Sequence, residues 1–198
     1  MVDTKHFFTQ RMLLTEQITR ARVYGYAAEM GWRKVLEEGD PKQQENFRIY
    51  FEVAPEVLVR YVEDFTSRQR YVYGSSPTEL GADLLSTLVA DDLEPRALSD
   101  LLQACDVAEG LERGRANMRL GVAAPYDYAQ DVYERISAGM QHEDRRVRLL
   151  SMSATAYSPW REYVPLLREI AGADPDPGLR DRAETILSVY ESHGLTDQ

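Results

Sequence analysis

Apolar positions recur at intervals of three and four along most of the chain, and no sustained alternation interrupts them, so the pattern predicts helices throughout. An opening helix from about Asp3 places Phe7, Leu14, Ile18 and Ala21 on one side. It can continue through Tyr24 and Met30 to Leu36, bending at Gly25 or Gly31, and Gly39-Asp40-Pro41 closes it. A second helix holds Phe47, Tyr50, Phe51 and Ala54. Pro55 suits the first turn of a third, because proline lacks only a donor that a first turn leaves unpaired. That third segment, Glu56–Tyr73, carries Val59, Val62 and Phe65 at helical spacing. Gly74-Ser75-Ser76-Pro77 is a break, and Ser76 with Glu79 has the spacing of a capping box. Leu80, Leu84, Leu85 and Leu88 mark the next helix, and Leu98, Leu101, Leu102, Cys105 and Ala108 the one after it.

Gly110, Gly114 and Gly121 weaken the following segment, and Ala124-Pro125 reads as a connector. Tyr128, Val132 and Ile136 mark a helix ending near Gly139, and Tyr163, Leu166, Leu167 and Ile170 another over about Pro159 to Ala171. Around this last helix lies an internal repeat: Asp144, Val147, Arg148, Ser151 and Ala154 are matched by Asp176, Leu179, Arg180, Ala183 and Ile186. The Asp can cap its helix and the Arg can reach a carboxylate on the next repeat. This pattern of Asp, apolar residue, Arg and small residue resembles HEAT-type repeats over residues 126–194. Chance similarity between amphipathic helices is the rival reading. The expected fold is therefore all-α: roughly eight to ten helices stacked as antiparallel pairs, a HEAT-like solenoid or an irregular bundle. A single all-helical domain spans 1–198, with a possible seam near Pro125.

With 198 residues and 43% apolar composition, the chain can bury a core of its own. Charge changes the picture more. Lys and Arg number 23 against 33 Asp and Glu, a net charge of −10. Such a field repels phosphate backbones and anionic lipid, so neither nucleic acid nor membrane is the expected partner. The excess concentrates between Glu79 and Glu112, where Asp83, Asp91, Asp92, Glu94, Asp100, Asp106 and Glu109 also fall and Arg96 is the single base. Solubilising charge is one explanation of that window. A surface dressed only for solubility is usually mixed in sign, however. Carboxylates crowded together repel one another, and a basic protein partner relieves that repulsion and speeds association. The candidate partner-binding residues are Asp91, Asp92, Glu94, Asp100, Asp106 and Glu109.

Little else suggests chemistry. His6, His142 and His193 are scattered without metal-ligand spacing. Asp174-Pro175-Asp176-Pro177-Gly178 is similar to a calcium loop, but Thr185 stands where such a loop needs Glu. It reads instead as a tight turn with Asp176 as N-cap and Pro177 at the first helical position. Cys105, the only cysteine, lies on an apolar stripe and reads as a core residue. No Gly-x-Ser-x-Gly elbow or phosphate-binding loop occurs, so no catalytic residue, metal or cofactor is expected. Twelve tyrosines against five phenylalanines suit half-buried positions in a thin stack, or a groove. Arg68, Arg70, Tyr71 and Tyr73 are too few for a nucleic-acid site. MVDTKHFFTQ shows no secretion signal and no apolar run is long enough for a bilayer, so a cytoplasmic location is expected.

The leading expectation is a non-catalytic module that docks a basic protein. In charge, size and helical reading the chain resembles immunity or antitoxin-type inhibitors, many of which cover the substrate site of a basic nuclease. A second reading is enzymatic: HEAT-like folds occur in DNA glycosylases with a basic groove, and Trp32, Trp160, Arg145, Arg146 and Arg148 are the residues such a groove would use. A third is a small-molecule enzyme or sensor with an aromatic pocket lined by Tyr24, Tyr26 and Trp32.

Overall fold

Phe47, Ile49 and Phe51 are buried while Arg48, Tyr50 and Glu52 between them are half-exposed, a period of two where the spacing predicts a helix. The all-α expectation is therefore corrected: the first half of the chain is built on an antiparallel sheet. A computed structural model describes residues 6–196, so the expected helix start at Asp3 lies outside the described residues. The chain divides into two compact units, Met1–Arg96 and Ala97–Gln198, and Pro125 lies inside the second.

The first unit contains β1 (Phe7–Phe8), β2 (Met12–Leu13), α1 (Arg20–Glu29), β3 (Arg33–Glu38), β4 (Phe47–Ala54), β5 (Val57–Glu63), β6 (Arg70–Ser76) and α2 (Glu79–Leu93). The strand order is β1-β6-β5-β4-β3, with β2 also paired to β6, and every pairing is antiparallel. Phe51 opposes Val59, Ile49 opposes Tyr61, and Tyr61 opposes Val72, which sets the apolar side chains in rows on one face. Val23, Tyr26 and Ala27 of α1 and Leu85, Val89 and Leu93 of α2 pack onto that face. Each valine or leucine among them stabilises by about 1.5–3 kcal/mol when removed from water, so this interface is the core of the unit. The segments expected as one long opening helix and two shorter ones thus resolve into one ten-residue helix and six strands.

The second unit is helical: α3 (Leu98–Val107), α4 (Gly110–Ala123), α5 (Gln130–Met140), α6 (Arg145–Ala154), α7 (Val164–Ala173) and α8 (Pro177–Ser192). A short 3-10 turn, Arg161–Tyr163, leads into α7. Helix α3 packs on α4, α4 and α5 on α6, and α7 on α8. Asp144 caps α6 by accepting from the Arg146 N–H at 2.8 Å, and Asp176 caps α8 by accepting from Leu179 N–H at 3.1 Å. Arg148 donates from Nε and Nη2 to the two carboxylate oxygens of Asp174 at 2.8 and 3.0 Å. Gly114 and Gly121 do not break α4; their missing side chains let α6 approach, Ala154 lying where a Cβ on Gly121 would be. Among the described residues no helix is long and apolar enough to cross a membrane.

Candidate functional site

Helix α2 begins at Thr78, whose hydroxyl accepts from Gly81 N–H at 3.1 Å, so the cap falls two residues after the expected Ser76. Its buried line is Ala82, Leu85, Val89 and Leu93. At 100° per residue that line leaves Leu80, Leu84, Thr87 and Asp91 on the opposite side. Leu80 is 68% exposed and Leu84 63%, so two of the four leucines that mark this helix in the sequence face water. Glu79 and Asp83 flank them, and Asp91, Asp92 and Glu94 follow at the C-terminal end, all exposed. Asp92 reaches back to Tyr26: burial, and then hydrogen bonding to this carboxylate, push the phenol well above its usual range. Carboxylates at the end of a helix oppose its macrodipole, so the charge at Asp91, Asp92 and Glu94 is not placed there for helix stability.

The other three candidate residues belong to the second unit. Asp100 is exposed in the first turn of α3, and Glu109 is exposed at the position before α4 without capping it. Asp106 is held by a guanidinium fork, Arg135 Nε and Nη2 donating to its two oxygens at 2.8 and 2.7 Å. That fork draws the Asp106 pKa below the usual carboxylate value. Glu112 is likewise paired with Arg115 and Arg119. The bases that balance this half of the acidic window come from beyond it in sequence, on α4 and α5, which is why local counting overstates its excess charge. On α2 the exposed carboxylates stand beside two exposed leucines.

Residues of the enzymatic readings have structural engagements. Tyr26 and Trp32 meet edge to face at 4.9 Å, and Tyr24 meets Phe51 at 6.0 Å, at the margin of the first core. Arg145 pairs with Asp176, Arg146 with Asp144, and Arg148 with Asp174. Trp160 is buried, with its indole N–H donating to the Tyr126 carbonyl at 2.9 Å. Cys105 is fully buried, and burial pushes its thiol up to about 11, far from a reactive thiolate.

One feature of the sheet escaped the spacing of apolar residues. On the face away from the helices, Arg60 lies among the rings of Tyr50, Tyr73 and Phe8, at 5.1, 5.4 and 5.6 Å from their centroids, and donates to Ser75 Oγ at 2.7 Å. Alternation through Val59, Arg60 and Tyr61 is the signal that places it opposite the core. Its cation is compensated by these rings and the hydroxyl. No family model, curated protein or solved structure matches this chain.

Proposed function

We propose that the chain is a non-catalytic protein-binding module whose docking face is the outer side of α2. The observation that carries this reading is the pair Leu80 and Leu84, both largely exposed on one helical line, beside the carboxylates of Glu79, Asp83 and Asp91. Exposed leucines on consecutive turns contribute affinity by desolvation, and the flanking charges select a basic partner and hasten its encounter. Asp91 and Glu94 are the sequence-predicted residues that belong to this face, whereas Asp92 is turned toward Tyr26. The likeness to all-helical inhibitors loses its fold component with the sheet, so the partner class rests on surface chemistry: a basic protein presenting an amphipathic helix or groove. We read the second unit as a HEAT-like stack, supported by the repeated Asp caps and the Arg148–Asp174 fork. A reducing, cytoplasmic setting is consistent with the single buried thiol.

The test is a titration of the isotope-labelled protein with an amphipathic helical peptide of leucine and lysine, followed by NMR. Saturable shifts confined to the outer face of α2 are expected. The double variant Leu80→Ser/Leu84→Ser weakens binding at least tenfold, since each buried leucine is worth about 1.5 kcal/mol or more. The thermal unfolding temperature of the variant falls only slightly, by the weaker helix propensity of serine, because both side chains are already largely exposed. Shifts scattered over the surface, or an affinity indifferent to the two leucines, would overturn the reading.

A further inference from the structure

The last described helix carries a cleft of a different character. Ile186, Val189 and Tyr190 of α8, with Ala156, Pro159 and Leu195, line a space of about 300 Å³ within the second unit. The walls are mainly apolar, and the hydroxyls among them are committed elsewhere. Tyr190 Oη donates to the Thr155 carbonyl and Thr185 Oγ1 to the Asp181 carbonyl, each at 2.9 Å. His193 also lines the cleft, and its Nδ1 lies 2.8 Å from the Val189 carbonyl.

Arg182 stands apart from these. It lines the same cleft and is half-buried, and among the described residues it has no ion pair. Its helical neighbours three and four positions away are Gly178, Leu179, Thr185 and Ile186, none of which carries a carboxylate. Arg145, Arg146 and Arg148, at the start of α6, are by contrast each fixed to an aspartate. A guanidinium presents a planar fork that matches a carboxylate, and apolar surroundings strengthen that pairing.

We propose that this cleft binds a small apolar carboxylic acid, with its hydrocarbon part against Ile186, Val189 and Tyr190 and its carboxylate on Arg182. The volume admits about ten non-hydrogen atoms if each takes the roughly 30 Å³ of a liquid water, which corresponds to a medium-chain acid. The same chemistry occurs at the free C-terminus of a peptide ending in leucine. The site lies wholly in the second unit and stands independently of the α2 docking face.

Octanoate and an acetylated tripeptide ending in a leucine carboxylate are the two probes, each paired with its neutral amide, and NMR shifts of Ile186, Val189 and His193 report binding. At least one acid is expected to saturate, with its amide at least tenfold weaker. Saturation by octanoate alone identifies a free acid as the source, and by the peptide alone a chain terminus. Arg182→Gln weakens the acid about tenfold, in line with the loss of a charged hydrogen bond. Val189→Trp fills the cleft from an exposed position and abolishes binding, while unfolding of both variants matches the parent chain. An amide that binds as well as its acid, shifts that fall elsewhere, or no saturation by either acid overturns the proposal.

Discussion

Glu94 ends α2 with φ 41° and ψ 61°, the left-handed conformation in which glycine is the usual residue. A residue with a Cβ is strained there by about 1 kcal/mol or more, and a carboxylate adds an unfavourable charge at the helix C-terminus. Glu94→Gly relieves both, offset by the greater chain entropy of glycine, so a gain of about 0.5–1 kcal/mol in denaturant unfolding is expected. Glu94→Asn keeps a residue that tolerates this conformation and removes only the charge, so its gain is smaller. If Glu94 belongs to the docking face, both variants bind the cationic peptide more weakly by a similar factor while their stabilities rise. Stability and affinity then move in opposite directions at one position. Affinity unchanged in both variants would remove Glu94 from the face and leave its conformation without a functional reason.

Elements were legible where the burial period and the residue types agreed. The helices of the second unit did so: Asp144 and Asp176 cap where expected, and Leu166, Leu167 and Ile170 are buried as their spacing implies. The sheet was hidden by its turns. The hairpin between β4 and β5 turns through Pro55-Glu56 with Glu56 at φ 63°, a position where Gly or Asn would have announced a hairpin. Gly74 read as part of a break, yet β6 continues through it to Ser76, because Leu85 of α2 occupies the space a side chain would need. Four leucines at Leu80, Leu84, Leu85 and Leu88 fit more than one face, so only packing shows which two point outward. Asp106 likewise reads as excess charge until α5 brings Arg135 beside it. The glycines of α4 illustrate the same limit and permit a test. Gly114 and Gly121 lie two turns apart on the side facing α6, with Asn117 between them donating to Ser151 Oγ at 2.9 Å. Helix propensity alone favours Gly121→Ala by about 1 kcal/mol. The new Cβ, however, lies 2.7 Å from both the Cβ and the carbonyl oxygen of Ala154, so α4 and α6 must separate. Overpacking costs about 1–3 kcal/mol and wins. The expected result is a lower denaturant midpoint for Gly121→Ala, whereas Gly172→Ala, with open space around it, raises it. A stabilised Gly121→Ala would mean that the two helices are not in close contact.

At the scale of the whole molecule, two electrostatic effects oppose each other as pH falls. The net charge of −10 at pH 7 is a diffuse repulsion that fades toward the isoelectric point near 4.9, which favours the folded state on the way down. Against it stand carboxylates whose pairing depends on ionisation. Arg20 holds Glu63 below its ordinary value despite the opposing effect of burial, and Arg145 does the same for Asp176. Burial of Asp174 works against its ionisation, but Arg148 and the Asp176 N–H outweigh it, so its pKa also falls. Asp144, bonded to the side chain and backbone of Arg146, is lowered to about 2. Groups lowered on folding contribute stability above their unfolded pKa of about 4, and that contribution is lost as pH falls through the folded values. Repulsion therefore dominates above about pH 5 and the paired carboxylates below about pH 4. Thermal unfolding from pH 8 to pH 2.5 at fixed low salt is expected to show a broad maximum near pH 5–6 and a steep decline below pH 4. Asp174→Asn flattens the acidic limb, because it removes one of the groups that must be protonated and leaves Arg148 without its fork. An acidic limb that Asp174→Asn leaves unchanged, about a maximum at the isoelectric point near 4.9, would show that diffuse repulsion, and not the carboxylate forks of the two units, governs the stability of this chain.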